Sequence, residues 1–233
     1  MDAVILAAGL GTRLRPHTLT TPKPLLPVRG RPILDWALGA LPPEVDRVLV
    51  VINYLGEQVE AYLRTQHHVA QWEVVRQEVP RGTGDALRSC RERLQSDSFL
   101  VLNGDDLYGA ADLAELAKCP AGLLVQEVDE PRRFGIAFLK LDRSLERLVE
   151  KPDLDGRQLA NTGAYVFPRN VFDIKLKLSK RGEYEITDYL SVLATRQTVH
   201  AVPAKFWLPI GTIEVWQAAQ EQDLASVLTA RRS

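Results

Sequence analysis

The sequence of 233 residues predicts an α/β fold: a mixed, mainly parallel sheet with helices on both faces. Three observations lead there. Short apolar runs alternate with helical patterns through the first half, which is the signature of repeated strand–helix units. The first run is continuously apolar and stops at Gly9, as a strand buried on both faces does before a loop. The second half is more mixed, with strand-like runs set closer together, and extends the same sheet.

The elements follow in order. A strand over 3–8 ends at Gly9. Pro32 opens a helix whose inward face is Ile33, Leu34, Ala37, Leu38 and Leu41. A strand is predicted over 47–52, then a short helix over 57–63 with Val59, Tyr62 and Leu63 inward, then a strand over 72–77. Residues 86–94 read as helix. Residues 99–102 read as a strand ending at Asn103-Gly104-Asp105-Asp106. A helix over 111–117 and a strand over 123–128 close this half. Beyond it, 136–141, 145–149 and 164–167 are strand-like, while 171–178, 186–194 and 214–228 are helical. No repeat, low-complexity tract or linker interrupts the pattern, so 1–233 is predicted as one domain with halves at about 1–130 and 131–233.

Composition excludes several classes. Hydrophobic residues make up 45% and charged residues 25%, ordinary values for a globular chain with a sizeable core. Twenty-nine Lys and Arg against 30 Asp and Glu leave a net charge of -1, without the basic excess of a nucleic-acid binder. Cys90 and Cys119 form neither a metal spacing nor a disulfide framework. The apolar start has no basic flank and is too short for a signal peptide or a membrane span. A cytoplasmic protein with no membrane association is expected, and a homo-oligomer is left open.

Ligands of open parallel sheets sit beyond the carboxyl ends of the strands. The first predicted strand is followed by Gly9-Leu10-Gly11-Thr12-Arg13-Leu14. The third ends at Gln77, with Arg81-Gly82-Thr83-Gly84 after it, and the fourth leads into Gly104-Asp105. Two glycine-bearing turns, a cation, an amide and a carboxylate therefore converge on one rim. Closely spaced glycines let backbone N–H groups approach phosphate oxygens, and Arg13 can hold a phosphate bidentately. Lys23 stands between two prolines that stiffen its backbone. A dinucleotide fingerprint needs a third glycine where Leu14 stands, and a Walker loop needs a Gly-Lys-Ser/Thr ending that is absent. No Ser, Cys or His nucleophile constellation is present, and His17, His67, His68 and His200 read as surface or loop residues.

The first loop with Pro22-Lys23-Pro24-Leu25-Leu26-Pro27-Val28, then Gly104-Asp105, Glu150-Lys151-Pro152, Asn161-Thr162-Gly163 and Glu185-Ile186-Thr187-Asp188 together resemble the sugar-1-phosphate nucleotidyltransferases. Glucose-1-phosphate thymidylyltransferases and uridylyltransferases look nearest. The motifs stand in family order along nearly the whole chain. The resemblance implies a Rossmann-like nucleotide-diphospho-sugar transferase fold with a nucleotide-binding first half and a sugar-phosphate-binding second half. It implies attack by a sugar-1-phosphate oxygen on the α-phosphorus of a nucleoside triphosphate, with release of pyrophosphate. UTP or dTTP and glucose-1-phosphate are favoured; another base, or another phosphorylated alcohol such as phosphocholine, is the alternative within the class.

By the same resemblance Arg13, Lys23 and Lys151 are the catalytic cations. Leu6, Ala8, Gly9, Gly11, Thr12 and Arg13 would bind the nucleotide, with Gln77, Gly82 and Thr83 at its base. Thr83 and Gly84 equally suit a helix cap. Asn103, Gly135, Glu150, Lys151, Asn161 and Gly163 would bind the sugar phosphate, with Thr162 beside them. Glu183 and Glu185 are further candidates for sugar hydroxyls, Glu185 being equally a helix-start carboxylate. Asp105 would hold Mg²⁺, with Asp106 as a supporting residue. Tyr165, Phe167, Trp207 and Trp216 read as core packing rather than sugar platforms. One departure stands out. Most relatives carry a second metal aspartate two residues before Gly211, where this chain has Pro209. That motivates a different class of function: a nucleotide-sugar-binding regulatory protein of little or no activity. Without hexapeptide repeats in the sequence, an acetyltransferase second activity is not expected.

Overall fold

A computed structural model describes residues 1–224 and Val227. The elements run β1 (Asp2–Leu6), β2 (Pro27–Val28), β3 (Arg31–Pro32), α1 (Ile33–Gly39), β4 (Arg47–Ile52), α2 (Gly56–Leu63), β5 (Gln71–Arg76) and α3 (Thr83–Arg88). They continue with β6 (Ser98–Asn103), β7 (Asp106–Tyr108), α4 (Ala110–Ala117), β8 (Gly122–Val128), β9 (Gly135–Leu139) and β10 (Leu145–Glu150). Last come β11 (Gln158–Pro168), α5 (Ile186–Leu193), β12 (His200–Pro203), β13 (Trp207–Pro209) and α6 (Ile213–Ala219).

Among the described residues nine strands form one sheet. Its path is β10-β9-β11-β6-β1-β4-β5, with β8 on β11 and β12 on β8. β5, β4, β1 and β6 are parallel, and β11 runs antiparallel to β6. The sheet is therefore mixed and mainly parallel on the side that carries the first loop, and strands of both halves share it. Alternation of side chains across a strand sends Ala3 and Ile5 into one apolar layer and Val4 into the other. Leu34 and Leu38 of α1, Val59 of α2 and Leu113 of α4 cover the first layer. Leu87 of α3 and Ile186 and Leu190 of α5 cover the second. Each fully buried leucine contributes roughly 1.5–3 kcal/mol of transfer free energy. A third cluster joins Leu14, Leu26 and Trp36 to Ile210 and Ala219, and so fastens the first loop to the segment around β13 and α6.

The structure departs from the sequence reading at several places. β1 stops at Leu6, leaving Ala7 and Ala8 in the loop. α3 begins at Thr83 and ends at Arg88 instead of spanning 86–94, so Thr83 and Gly84 open the helix. Thr83 does not cap it; its Oγ1 accepts from the Ile186 N–H at 3.1 Å. The helix expected over 171–178 is a 3₁₀ turn at Arg169–Asp173 followed by extended chain. Ile174, Leu176 and Leu178 alternate with Asp173, Lys175 and Lys177, a period of two, and Leu178 bridges Tyr184. α6 ends at Ala219; of the helix expected over 214–228, residues 225, 226 and 228 lie outside the described residues. β7, β12 and β13 have four residues or fewer and carry no periodicity to read. Among the described residues no helix is long and apolar enough to cross a membrane.

Candidate active site

Parallel pairing puts the ends of β1 and β6 side by side, with Leu6 opposite Asn103. Beyond them lies a first chamber of about 480 Å³. Leu6, Ala8, Gly9, Gly11 and Thr12 border it from the first loop, and Gln77, Gly82 and Thr83 from beyond β5. Gly82 is required by its geometry. Its φ is +102°, and a Cβ there would stand 2.5 Å from the Tyr184 carbonyl oxygen. Tyr184 N donates to Arg81 O and Gly84 N to Tyr184 O, both at 2.8 Å, so this rim is stitched to the chain ahead of α5.

A second chamber of about 610 Å³ opens beside it. Gly135, Glu150, Lys151, Asn161 and Gly163 border it, together with Thr162 and Trp207. Lys151 has φ +44°, a left-handed conformation uncommon for a residue with a side chain, and its N–H donates to Phe134 O at 3.0 Å. Gly163 sits in a register shift of β11, where Asn161 pairs with Val125 and Tyr165 with Leu123. Two extra residues on β11 bulge there and turn Asn161 and Gly163 toward the cavity.

Arg13 lies apart from the neighbouring residues of the first loop. It borders the second chamber, not the first. It lies in a 3₁₀ turn at Thr12–Leu14, whose consecutive residues point about 120° apart. Thr12 faces the first chamber and Leu14 the core, which leaves the other side to Arg13, beside Gly211.

Lys23, Asn103 and Asp105 border both chambers. Lys23 is buried, 6% exposed, and its Nζ donates to Asp105 Oδ2 at 2.5 Å. The tight turn that holds it has Leu25 N donating to Pro22 O at 2.8 Å. Asp106, next in the chain, is buried and accepts from Trp207 Nε1 at 3.2 Å and Tyr108 Oη at 3.4 Å. Burial, with the charge of Asp105 beside it, pushes the Asp106 carboxyl up to about 8. Pro209 pairs with Asp106 between β13 and β7 and offers the second chamber no ligand atom. Among the described residues no three His, Cys, Asp or Glu side chains are grouped to hold a metal. Asp105 is half-exposed at the mouth of both chambers, and a Mg²⁺ ion bound largely by phosphates and water needs only one or two protein carboxylates. The donor set therefore fits such an ion.

Several side chains escaped the sequence reading. Arg132 and Arg133 border the second chamber just ahead of Gly135, a position whose adjacent charges were the available signal. Arg181 lies 2.8 Å from Glu185 and 3.9 Å from both Glu150 and Glu183. Glu183 borders the first chamber and not the second. Glu185 borders neither, its Oε1 accepting from Ser179 Oγ and Arg181. Tyr165, Phe167 and Trp207 are buried as read, whereas Trp216 is only partly so, its Nε1 donating to Pro27 O at 2.8 Å. None of the four histidines borders either chamber.

A family model described as nucleotidyl transferase matches residues 2–226. The chain belongs to that family. It is 34% identical over 214 residues to the bifunctional protein GlmU of Methanocaldococcus jannaschii, covering 91% of this chain and 51% of the relative. It is 33% identical over 224 residues to a mannose-1-phosphate guanylyltransferase of Mycobacterium tuberculosis, covering 92% and 62%. The chain thus spans about half to two thirds of the length of these relatives. Among solved structures, a Bacillus anthracis chain described as a putative glucose-1-phosphate thymidylyltransferase superposes with a TM-score of 0.83 at 30% identity, over 94% of each chain. A UDP-glucose pyrophosphorylase superposes with a TM-score of 0.82 at 23% identity, over 94% of this chain and 96% of that one, a likeness of fold. The sheet, its helices on both faces and the family are those expected from the motifs.

Proposed function

We propose that the protein joins a nucleoside triphosphate, UTP or dTTP favoured, to a sugar-1-phosphate, glucose-1-phosphate favoured, releasing pyrophosphate. The observation that carries this reading is the junction of the two chambers at Lys23, Asn103 and Asp105. A nucleotide in the first chamber and a sugar phosphate in the second would bring their phosphates together there. The sugar-phosphate oxygen forms the new bond to the α-phosphorus as the bond to the β-phosphate oxygen breaks, and pyrophosphate carries away the negative charge. No protein nucleophile takes part, so the residues position and neutralise. The Lys23 ammonium lies where the two anions would meet, and Lys151 and Arg13 add cations from the sugar side. Asp105 would hold Mg²⁺, which when bound neutralises and orients phosphate oxygens. The preference for UTP or dTTP rests on Gln77, an amide at the edge of the first chamber. Both substrates are soluble phosphates, and a cytoplasmic location belongs to the same reading.

Pyrophosphate release tests it, measured over UTP, dTTP, GTP, CTP and ATP against several sugar-1-phosphates with and without Mg²⁺. Release with at least one pair is expected, falling about 10²–10³-fold in Arg13→Ala, the usual loss for a preorganised charge stabiliser. No release with any pair would instead favour the regulatory binding protein that Pro209 suggests.

A further inference from the structure

Gln77 is held more tightly than reading a base by reach alone requires. Its backbone N–H donates to Ile52 O at 3.0 Å, and its carbonyl accepts from Asn53 Nδ2 at 2.5 Å. Its side chain is buried, and Nε2 lies 3.2 Å from both Gly82 O and Asp85 Oδ2. A carbonyl and a carboxylate only accept, so the amide has a single chemically sensible orientation, with both N–H bonds spent on the protein. Asp85 is itself buried and fixed. Its Oδ1 accepts from Arg88 at 2.7 Å and from Arg81 at 3.3 Å. No hydrogen bond to Gln77 Oε1 is formed among the described residues, nor is that atom fully enclosed, and Gln77 borders the first chamber.

We infer that Asp85 is a positioning residue that sets base selectivity by holding Gln77 as an acceptor toward the chamber. This rests on the first chamber taking the nucleotide. A free glutamine amide rotates and pairs with any base edge. A locked acceptor requires an N–H at the facing point, and Gly82, on the same rim, has an N–H engaged in no backbone hydrogen bond. An acceptor beside a donor complements a ring N–H next to a carbonyl, the edge shared by uracil, thymine and guanine. Cytosine and adenine present a ring nitrogen acceptor at that point, which would face Oε1 acceptor to acceptor. Leaving a buried polar atom unpaired typically costs a factor of about ten to a hundred in affinity.

Binding and turnover should be measured for the five triphosphates with Mg²⁺ on wild type, Asp85→Asn, Gln77→Leu and the double variant. In wild type, UTP, dTTP and GTP are expected to bind at least about tenfold more tightly than CTP and ATP. In Asp85→Asn, with the amide oxygen held by Arg88 and Arg81 as Asp85 Oδ1 is, the new N–H groups face Gln77 where Oδ2 stood. Gln77 then meets a donor there and an acceptor at Gly82 O, so neither amide orientation satisfies both and the amide is no longer fixed. The ratio should then collapse to within about threefold, while kcat at saturating UTP stays within about threefold and the melting temperature confirms a folded chain. In the Gln77→Leu background, Asp85→Asn should move the ratio no further. An unchanged ratio in Asp85→Asn, or equal binding of CTP and UTP by wild type, would overturn the inference. Selective binding that shifts as described, with no turnover of any pair, would leave the inference standing and count against the transfer reaction. Binding of no triphosphate would remove both.

Discussion

At the residue scale, Lys151 combines a charge with an unfavourable backbone. Its φ of +44° is costly for any side chain bearing a Cβ, and the bond from its N–H to Phe134 O keeps it there. Backbone strain of this kind, about 1–3 kcal/mol, persists where the surroundings over-determine it, and it gathers at functional sites. This strained position lies on the border of the second chamber. Two substitutions separate charge from conformation. Lys151→Ala and Lys151→Gly both lack the ammonium, and both should lose about 10²-fold in pyrophosphate release. Only glycine accepts the left-handed backbone freely, so the Gly variant should be more stable than the Ala variant by about 1 kcal/mol in denaturant unfolding. Equal stability would show that the left-handed backbone costs nothing there. Lys23 has no such conflict: its charge is matched by Asp105, and its turn is fixed by the prolines on either side.

At the scale of elements, the kink in β11 is the feature that shapes the second chamber. Gly163 has φ +82°, and a Cβ there would approach Asn103 Nδ2 to 2.0 Å, at the junction of the two chambers. Gly156 has a similar φ of +76° with nothing near its missing Cβ. Both alanine variants carry the left-handed penalty of about 1–2 kcal/mol, but only Gly163→Ala adds overpacking of about 1–3 kcal/mol. Gly163→Ala should therefore melt below Gly156→Ala by several degrees, and it alone should lose turnover, because Asn103 must move. Equal melting temperatures would mean that Asn103 yields freely. This kink also marks the limit of what the sequence discloses. The strands 47–52 and 99–102 were legible as unbroken apolar runs, and the inward faces of α1 and α2 because apolar residues repeat with the helical period. The bulge in β11 has no period, and Asn161-Thr162-Gly163 could be picked out only by resemblance. The stretch after Phe172 was misread because Val171 and Ile174, three apart, and the pairs Phe172–Leu176 and Ile174–Leu178, four apart, imitate a helix, while the alternation of Ile174, Leu176 and Leu178 decides the extended chain. The rim residues were legible for a different reason: parallel topology puts every strand's carboxyl end on one side, so Leu6, Gln77 and Asn103 had to meet. Which side of the junction Arg13 would face depended on a 3₁₀ turn of three residues, too short to read.

At the scale of the molecule, net charge is almost zero, yet cations collect at one place where two cavities join. Lys23, Asn103 and Asp105 are common to both chambers, so ligands in the two would meet the same groups and should be coupled. One ammonium, already matched by Asp105, would stand between the phosphates of the two proposed substrates. Without a divalent ion, a nucleotide in the first chamber should repel a sugar phosphate in the second. With Mg²⁺ the added charge should remove that repulsion or reverse it. Coupling between sites is reciprocal, so each ligand must alter the other's affinity by the same factor, typically about 5–150-fold. The measurement is a pair of titrations using an α,β-methylene UTP analogue, which cannot react, and glucose-1-phosphate, each with and without the other, in EDTA and in Mg²⁺. In EDTA each should weaken the other by the same factor, and in Mg²⁺ that factor should shrink or invert. Lys23→Ala should deepen the repulsion in EDTA, because it removes the cation the two anions share. Affinities that are independent of the second ligand under both conditions would mean that the chambers do not bring the phosphates together, and the transfer reaction would lose its geometric basis.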